Sequence, residues 1–588
     1  MSMVLVTLLL VVLAEGTEKA GGLNDAYMLI KGKRNYEALR VLEQIIPDEK
    51  EKPLYYFLKG LALKGVKHYR KSVDFLNRAY ITAKDRRLRE LSLYHRGLAY
   101  LLGGFYYEAA SNFRLFQREF PRSGLIEKVY QYYAQATLKT GNYVESLAYF
   151  RKAKESPETL FGKAEVFHRL GLYKTAYEIY RKGIISYETY MKKHPDILYY
   201  YAENLRLMGK EDEAKPLFYL LMESNLKEKA YLSLGLIEYA KGQYDNALAY
   251  LRRAALSPDR VIKRKALLYE GEIYMKKSDL KRAKGFFLQI RKDFPYTPEQ
   301  DWALVYLARI ERAEGNYLNS EGYLKEILFG KKPTKEALDE LDALITTLIK
   351  SGADEFERVW KECGNWLMSP DRENTLLKAG DLMYERGGDF VRVFRYLIKN
   401  GSTRAKNHAL YRMGIFFGRI GNNEKLSEMI AGLEKNGGEK RLITRLKALR
   451  AINASDGESA LSLLSSIEKP EKTDLDLLLQ IPLHGLDPEG FVGLYRRFAA
   501  ALSVAPDYEL IGDYLKRKGR LTEGYKYYVL ALKRNGWKGG RLLFKAAMTG
   551  GERDLIRLAA SSNSNTYSEM AGALLNEMAL KEKVGGLL

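Results

Sequence analysis

The stretch GGFYYEAASNFRLFQREFPRSG, residues 103–124, decides how this chain is read. Tyr106, Ala109, Phe113, Phe116 and Phe120 recur every three or four residues, the spacing that puts side chains on one face of an α-helix, and Pro121 stops the run. Such a stripe can line a pocket, enter a membrane or pack a core, and its copies elsewhere choose among these. The pattern GxYxxA made by Gly104, Tyr106 and Ala109 returns at Gly141, Gly171, Gly242 and Gly315, with looser copies at Gly209 and Ser278. Taking the last small residue as anchor gives Ala38, Ser72, Ala109, Ser146, Ala176, Ala214, Ala247, Ala283 and Ser320, at intervals of 30 to 38 residues.

Positions not used to set this frame test it. Twelve residues before the anchors stand Ala26, Gly60, Gly97, Ala134, Ala164, Ala202, Gly235, Gly271 and Ala308, all small; four residues after them stand Leu42, Leu76, Phe113, Phe150, Tyr180, Phe218, Leu251, Phe287 and Leu324, all large. Each unit therefore reads as a helical hairpin: a first helix upstream of the turn, a second helix carrying the anchor, and small residues where the two axes approach. Glycine in the turn permits the positive φ at which a first helix ends.

A unit of about 34 residues with two small helix positions, an aromatic after the turn and a closing proline resembles the tetratricopeptide repeat. The resemblance covers residues 20–330 in nine units. It implies hairpins stacked into a right-handed superhelix whose first helices line a concave groove. Residues 331–588 read as degenerate copies, with Gly414, Gly421, Leu426 and Ile430 in one, Ala448, Ser455, Ala460 and Leu464 in the next, and Gly512, Gly519, Gly524 and Tyr528 in a third. The expected fold is all-α, an α-solenoid of about sixteen hairpins, with irregular connections at 330–337 and 468–490.

Hydrophobic residues make up 46% of the 588, enough for a large core, and a net charge of +22 favours anionic partners. A single cysteine, Cys363, excludes an intramolecular disulfide and a cysteine metal site, and reads as a small buried residue. The six histidines are scattered, and HExxH, GxSxG and GxxxxGK followed by Ser or Thr are all missing. No catalytic, cofactor-binding or metal-ligating residue is assigned, no cofactor is expected, and the chain is read as not an enzyme. His194, Pro195 and Asp196 spell the tripeptide of J-domain co-chaperones, but at a helix start; Glu211, Asp212 and Glu213 read as a solvated turn. The basic runs KDRRLRE (84–90) and RVIKRK (260–265) hold no aromatic and are expected between repeat helices. A platform for single strands interleaves basic and aromatic residues, so nucleic acid is disfavoured.

The family's geometry turns the first-helix residues eleven and eight before each anchor toward the groove. With the same face one turn earlier, the candidate partner-binding set is Tyr27, Tyr94, Leu98, Gln131, Gln135, His168, Tyr199, Arg206, Tyr239, Met275, Arg309 and Arg312. The groove positions of units one to three and seven are mostly apolar and the others largely polar, a mixture suited to an extended or helical protein segment. Repeats that clamp a chaperone's terminal carboxylate place Asn eleven before the anchor, and none stands there, so a chaperone tail is not the expected ligand.

The apolar run Val4 to Leu13, closed by Val12 and Ala14, reads as a signal peptide over residues 1–14. It is shorter than the roughly 20 residues a membrane-spanning helix needs. No Lys or Arg precedes it, which leaves a first helix packed on its neighbour as the alternative. NFRLFQREFPRSG and FFLQIRKDFPYTP (286–298) resemble repeat endings of bacterial envelope proteins, the outer-membrane barrel-assembly lipoprotein and the Tol-Pal coordinator. The resulting expectation is a non-enzymatic protein-protein interaction scaffold or assembly factor of the bacterial cell envelope, periplasmic or outer-membrane associated. Its partners would be proteins or peptides, with peripheral membrane association left open. The alternatives are the accessory superhelix of a peptidoglycan-processing enzyme and a cytoplasmic scaffold of the same repeats.

Overall fold

The computed structural model describes residues 20–330, 333–481, 488–503 and 507–536, with five further positions between 542 and 549. The apolar run at 1–14 lies outside them. Thirty α-helices and two short 3₁₀ helices make up the described structure, which contains no strand.

The helices follow one another as α1 (Ala20–Lys31), α2 (Asn35–Glu43), α3 (Lys52–Gly65), α4 (Tyr69–Thr82), α5 (Arg86–Leu102), α6 (Tyr106–Glu119), α7 (Ile126–Lys139) and α8 (Tyr143–Lys152). Next come α9 (Pro157–Arg169), α10 (Tyr173–Lys192), α11 (Pro195–Leu207), α12 (Glu211–Leu221), α13 (Lys227–Ala240), α14 (Tyr244–Ala254), α15 (Arg260–Lys276) and α16 (Leu280–Asp293). After α17 (Pro298–Ala313) and α18 (Tyr317–Leu328) stand α19 (Lys335–Ser351), α20 (Glu355–Cys363), α21 (Glu373–Arg386), α22 (Phe390–Asn400), α23 (Thr403–Arg419) and α24 (Asn423–Lys435). The last are α25 (Lys440–Asn453), α26 (Gly457–Ser465), α27 (Lys472–Leu478), α28 (Pro488–Ala501), α29 (Tyr508–Arg517) and α30 (Leu521–Arg534). The chain divides into two compact units, Met1–Ala303 and Leu304–Leu588, the division falling within α17.

The anchor, the small residue twelve before it and the large residue four after it are buried in every hairpin from α1/α2 to α17/α18. Geometry explains the composition. A Cβ added at Gly97 would meet Phe113 Cε1 at 2.5 Å, at Gly60 Leu76 Cγ at 2.6 Å, at Gly235 Leu251 Cγ at 2.7 Å and at Gly271 Phe287 Cε1 at 2.5 Å. The large residue of the second helix thus lies on the backbone of the first. Where the anchor is serine, its hydroxyl finds a partner on the facing helix: Ser72 Oγ donates to the carbonyl of Gly60 and Ser146 Oγ to that of Ala134, both at 2.7 Å. A polar atom can therefore replace a methyl in the core without being left unpaired.

The turns are left-handed at Gly104, Gly141, Gly171, Gly209 and Gly242, with φ of 80°, 85°, 76°, 74° and 72°. Lys33, Lys67 and Ser278 occupy the same place with φ of 60°, 63° and 60°. The hairpin imposes the conformation, and non-glycine residues adopt it at a cost. Each turn is closed by an i to i−5 bond of the Schellman type, as from Phe105 N to Tyr100 O at 2.9 Å.

The opening stripe resolves into this scheme. It forms α6, with Ala109, Phe113, Phe116 and Phe120 in a core cluster running from Leu23 to Ala136, and Phe113 stacked on Tyr132 at 6.0 Å. A second cluster, Phe161 to Ile237, fills α9 to α13. The core of the second unit extends from Ala308 to Leu515 and buries Cys363, whose thiol is pushed up to about 12 by burial.

Two local expectations are corrected. The basic runs do not lie between helices: 86–90 and 260–265 are the first turns of α5 and α15, begun where Asp85 accepts from Leu88 N and Asp259 from Val261 N at 2.6 and 2.8 Å. Irregular backbone also occurs at Gly364–Leu367 and Pro370–Arg372, both 3₁₀ helices, while part of 468–490 forms the short helix α27.

Candidate partner-binding groove

Within the first unit, each first helix packs on its own second helix and also on the first helix of the following hairpin, so α1, α3, α5, α7, α9, α11, α13 and α15 form one contiguous row. Side chains facing along this row must either satisfy each other or remain open to a partner. Polar contacts between consecutive members form a series of rungs. Lys64 Nζ of α3 donates to His95 Nδ1 of α5 at 2.8 Å; Lys139 of α7 pairs with Glu165 of α9 at 3.2 Å. From α9, His168 Nδ1 donates to Asn204 Oδ1 of α11 at 3.2 Å, and Arg169 reaches the Tyr200 hydroxyl. Ser233 of α13 donates to Glu203 of α11, Tyr239 of α13 to Glu272 of α15 at 2.7 Å, and Arg264 of α15 to Glu299 at 2.7 Å.

The second unit uses the same device. Arg309 and Arg312 of α17 both converge on the Glu340 carboxylate of α19, at 3.1 and 2.7 Å. His408 and Arg412 of α23 meet Asp381 of α21 at 2.9 and 2.8 Å, and Arg445 of α25 grips Asp474 of α27 through two bonds of 2.5 and 2.7 Å. Asp381 is held below the usual carboxylate range by His408 and Arg412 despite burial, which opposes them. Glu340, Asp381 and Asp474 therefore bind neighbouring hairpins together.

The candidate residues divide accordingly. Leu98, Gln131, Gln135, Tyr199 and Met275 are half-buried on the first-helix row and present surface there. Tyr27 and Tyr94 are corrected: at 4% and 5% exposure they belong to the core, Tyr94 against Phe116 of its own hairpin and Tyr132 of α7. Desolvation raises the Tyr94 hydroxyl far above its ordinary value. Arg206, Arg309 and Arg312 are not free charges, since Arg206 is paired with Glu203 at 2.9 Å and the other two with Glu340. Tyr239 and His168 serve as rungs, and burial lowers the His168 pKa.

Sequence reasoning did not single out His95, Tyr132, Asn204 or Tyr200, each of which stands on the row. The signal was available at the position fourteen before the anchor, occupied by His95, Tyr132, Tyr200, Tyr269 and Tyr306 in five of the nine units. It was obscured because that position faces the preceding hairpin, a contact the period of one unit does not reveal.

No family model and no curated protein matches the chain. Among solved structures, a tetratricopeptide repeat protein from Parabacteroides merdae is 16% identical, covering 44% of this chain and 98% of its own, with a TM-score of 0.34. The human IFIT1 dimer with PPP-AAAA is 13% identical, covering 64% of this chain and 88% of its own, with a TM-score of 0.38. The pentatricopeptide repeat protein PPR10 from maize is 15% identical over 92% of this chain and 82% of its own, with a TM-score of 0.31. Likeness at this level says nothing of what this chain binds.

Proposed function

We propose that the chain is a non-enzymatic interaction scaffold of the bacterial cell envelope, periplasmic or outer-membrane associated, holding extended segments of partner proteins along its first-helix row. The observation that carries the reading is the repeated half-buried lining: Leu61, Leu98 and Leu101, then Tyr132 and Gln135, then Tyr199, then Met275, spaced along successive first helices. Such a surface offers aliphatic and aromatic contacts with polar groups between them, spread over several hairpins, which suits a segment better than a compact substrate. The envelope address is supported by the FPRSG and FPYTP repeat endings and by the apolar run at the N-terminus.

The test is affinity capture from an envelope fraction with quantitative mass spectrometry, using the intact protein and the lining variants Gln135→Arg and Met275→Glu. Loss of the same partners from both variants, with unfolding temperatures unchanged, is the expected result. Identical capture by all three proteins refutes the groove, and N-terminal sequencing of the mature protein checks the address. Turnover of peptidoglycan by the intact chain would replace the scaffold with an enzyme.

A further inference from the structure

One rung of the first-helix row is electrically incomplete. Lys64 of α3 is half-buried and donates to His95 Nδ1, and among the described residues no carboxylate pairs with it. Comparable groove cations each reach a carboxylate: Lys139 and Arg169 share Glu165, Arg206 pairs with Glu203, and Arg309 and Arg312 share Glu340. His95 cannot do this for Lys64. With Nδ1 accepting, the ring hydrogen resides on Nε2, and burial first and the Lys64 charge second hold its pKa well below the ordinary value. Phe57 and Tyr94 pack against the ring at 5.8 and 5.1 Å, fixing its place.

The surroundings are apolar. Ile30, Leu61, Leu98 and Leu101 are half-buried against the core of this region, and Leu102 is 58% exposed. Burial pulls the Lys64 ammonium down to about 8, the mark of a cation that has lost water without gaining a counter-ion. A cation beside half-buried leucines has a definite complement: one anion flanked by aliphatic side chains.

We propose that the α3/α5 stretch of the groove takes an acidic side chain of a partner protein, an aspartate or glutamate set between aliphatic residues, with Lys64 as its counter-ion and Leu61, Leu98 and Leu101 covering the flanks. This rests on the reading of the first-helix row as a partner-binding groove. Carboxylate suits the site better than phosphate, because the leucines would be left uncovered by a sugar-phosphate backbone.

The experiment uses the intact protein and a fluorescent, C-terminally amidated peptide of about ten residues carrying one glutamate between leucines, with a twin carrying glutamine. Fluorescence anisotropy at about 0.15 M salt should show the glutamate peptide binding about tenfold tighter, the ratio one retained charge pair gives. Lys64→Met keeps the aliphatic stem and should abolish that ratio without lowering the unfolding temperature, whereas Lys71→Met, exposed on α4, should preserve it. A ratio near one in the wild type, or one surviving Lys64→Met, overturns the proposal. So does equal loss in Lys71→Met, which would assign the preference to diffuse charge. Tight binding of the glutamine twin once its C-terminus is left free would assign the site to a chain end instead, and displacement of the peptide by single-stranded RNA only when Lys64 is present would assign it to phosphate. If neither peptide binds while Gln135→Arg and Met275→Glu still lose partners, the carboxylate site fails and the scaffold stands. If those variants lose nothing either, both readings fail.

Discussion

Whether the groove arginines hold the fold or hold a ligand can be decided at Arg312. Its Nε donates to Glu340 Oε1 at 2.7 Å, the Glu340 side chain is 3% exposed, and Arg312 itself is 23% exposed. Replacing Arg312 by Met removes the shorter of the two arginine contacts, leaving Glu340 with Arg309 at 3.1 Å on a side chain that is 46% exposed. A hydrogen bond to a charged group contributes about 1.5 to 3 kcal/mol, and partial exposure places this one near the lower end, about 2 kcal/mol. Glu340→Leu removes the buried acid and releases both arginines to water, so it should cost less than Arg312→Met, because the desolvation it relieves offsets the bonds it breaks. The double variant should then be no worse than Arg312→Met alone, a coupling of about 1.5 kcal/mol. Long repeat arrays do not unfold as one step, so the proper readout is native-state hydrogen exchange of α18 and α19. Coupling below about 0.3 kcal/mol would mean that the pair behaves as an exposed surface bridge. In that case Arg309 and Arg312 would be available to a partner and the rung interpretation would be wrong.

The turns, the close helix contacts and one buried acid each carry a further expected outcome. Lys67 sits at φ 63° where sibling turns have glycine; Lys67→Gly should stabilise the protein by up to about 1 kcal/mol, the left-handed penalty less the entropy of a freer unfolded chain, and Gly141→Ala should destabilise it similarly, both read as shifts in unfolding temperature. Gly97→Ala should cost about 1 to 2 kcal/mol, overpacking against Phe113 less the gain in helix propensity, and Phe113→Leu in the same chain should recover most of it, since Leu42 and Leu324 fill that place opposite Ala26 and Ala308 in other hairpins. Glu270, 3% exposed, has its carboxyl raised to about 7 by burial, with Arg252 opposing. The native state therefore keeps a proton that the unfolded chain releases near 4.5, and stability falls as pH rises from about 4.5 to 7. Glu270→Gln should match the wild type at pH 4 and exceed it at pH 8, by at most about 3 kcal/mol, in parallel thermal melts; equal stability at both pH values would refute this.

The hairpin was legible because its determinants are local. Gly97 and Phe113 lie sixteen residues apart, close enough for one repeat period to expose them, and nine copies separate the pattern from coincidence. Groove chemistry was less legible because its determinants are partners about one repeat apart: Lys64 with His95, His168 with Asn204, Arg312 with Glu340. A charged residue at a groove position reads alike whether it faces solvent or a buried carboxylate on the next hairpin. That ambiguity placed Arg309 and Arg312 among the binding residues; Arg206 pairs instead with Glu203 on its own helix, and Tyr27 and Tyr94 are buried in the core.

This spacing also locates where a stacked-hairpin protein can acquire specificity. Each interface between neighbouring first helices must satisfy its polar atoms before it can offer any outward, because an unpaired buried charge costs more than the pair contributes. A mutation that completes a rung adds cohesion and removes a recognition group; one that deletes the acid of a rung, keeping its cation half-exposed, does the reverse. The α3/α5 interface has the second composition and α17/α19 the first. An acid introduced beside Lys64, as in Leu61→Glu, should therefore raise the local stability of α3 to α5 in hydrogen exchange while abolishing the preference for glutamate peptides. Retention of that preference with a completed rung would show that cohesion and recognition do not compete for the same charge.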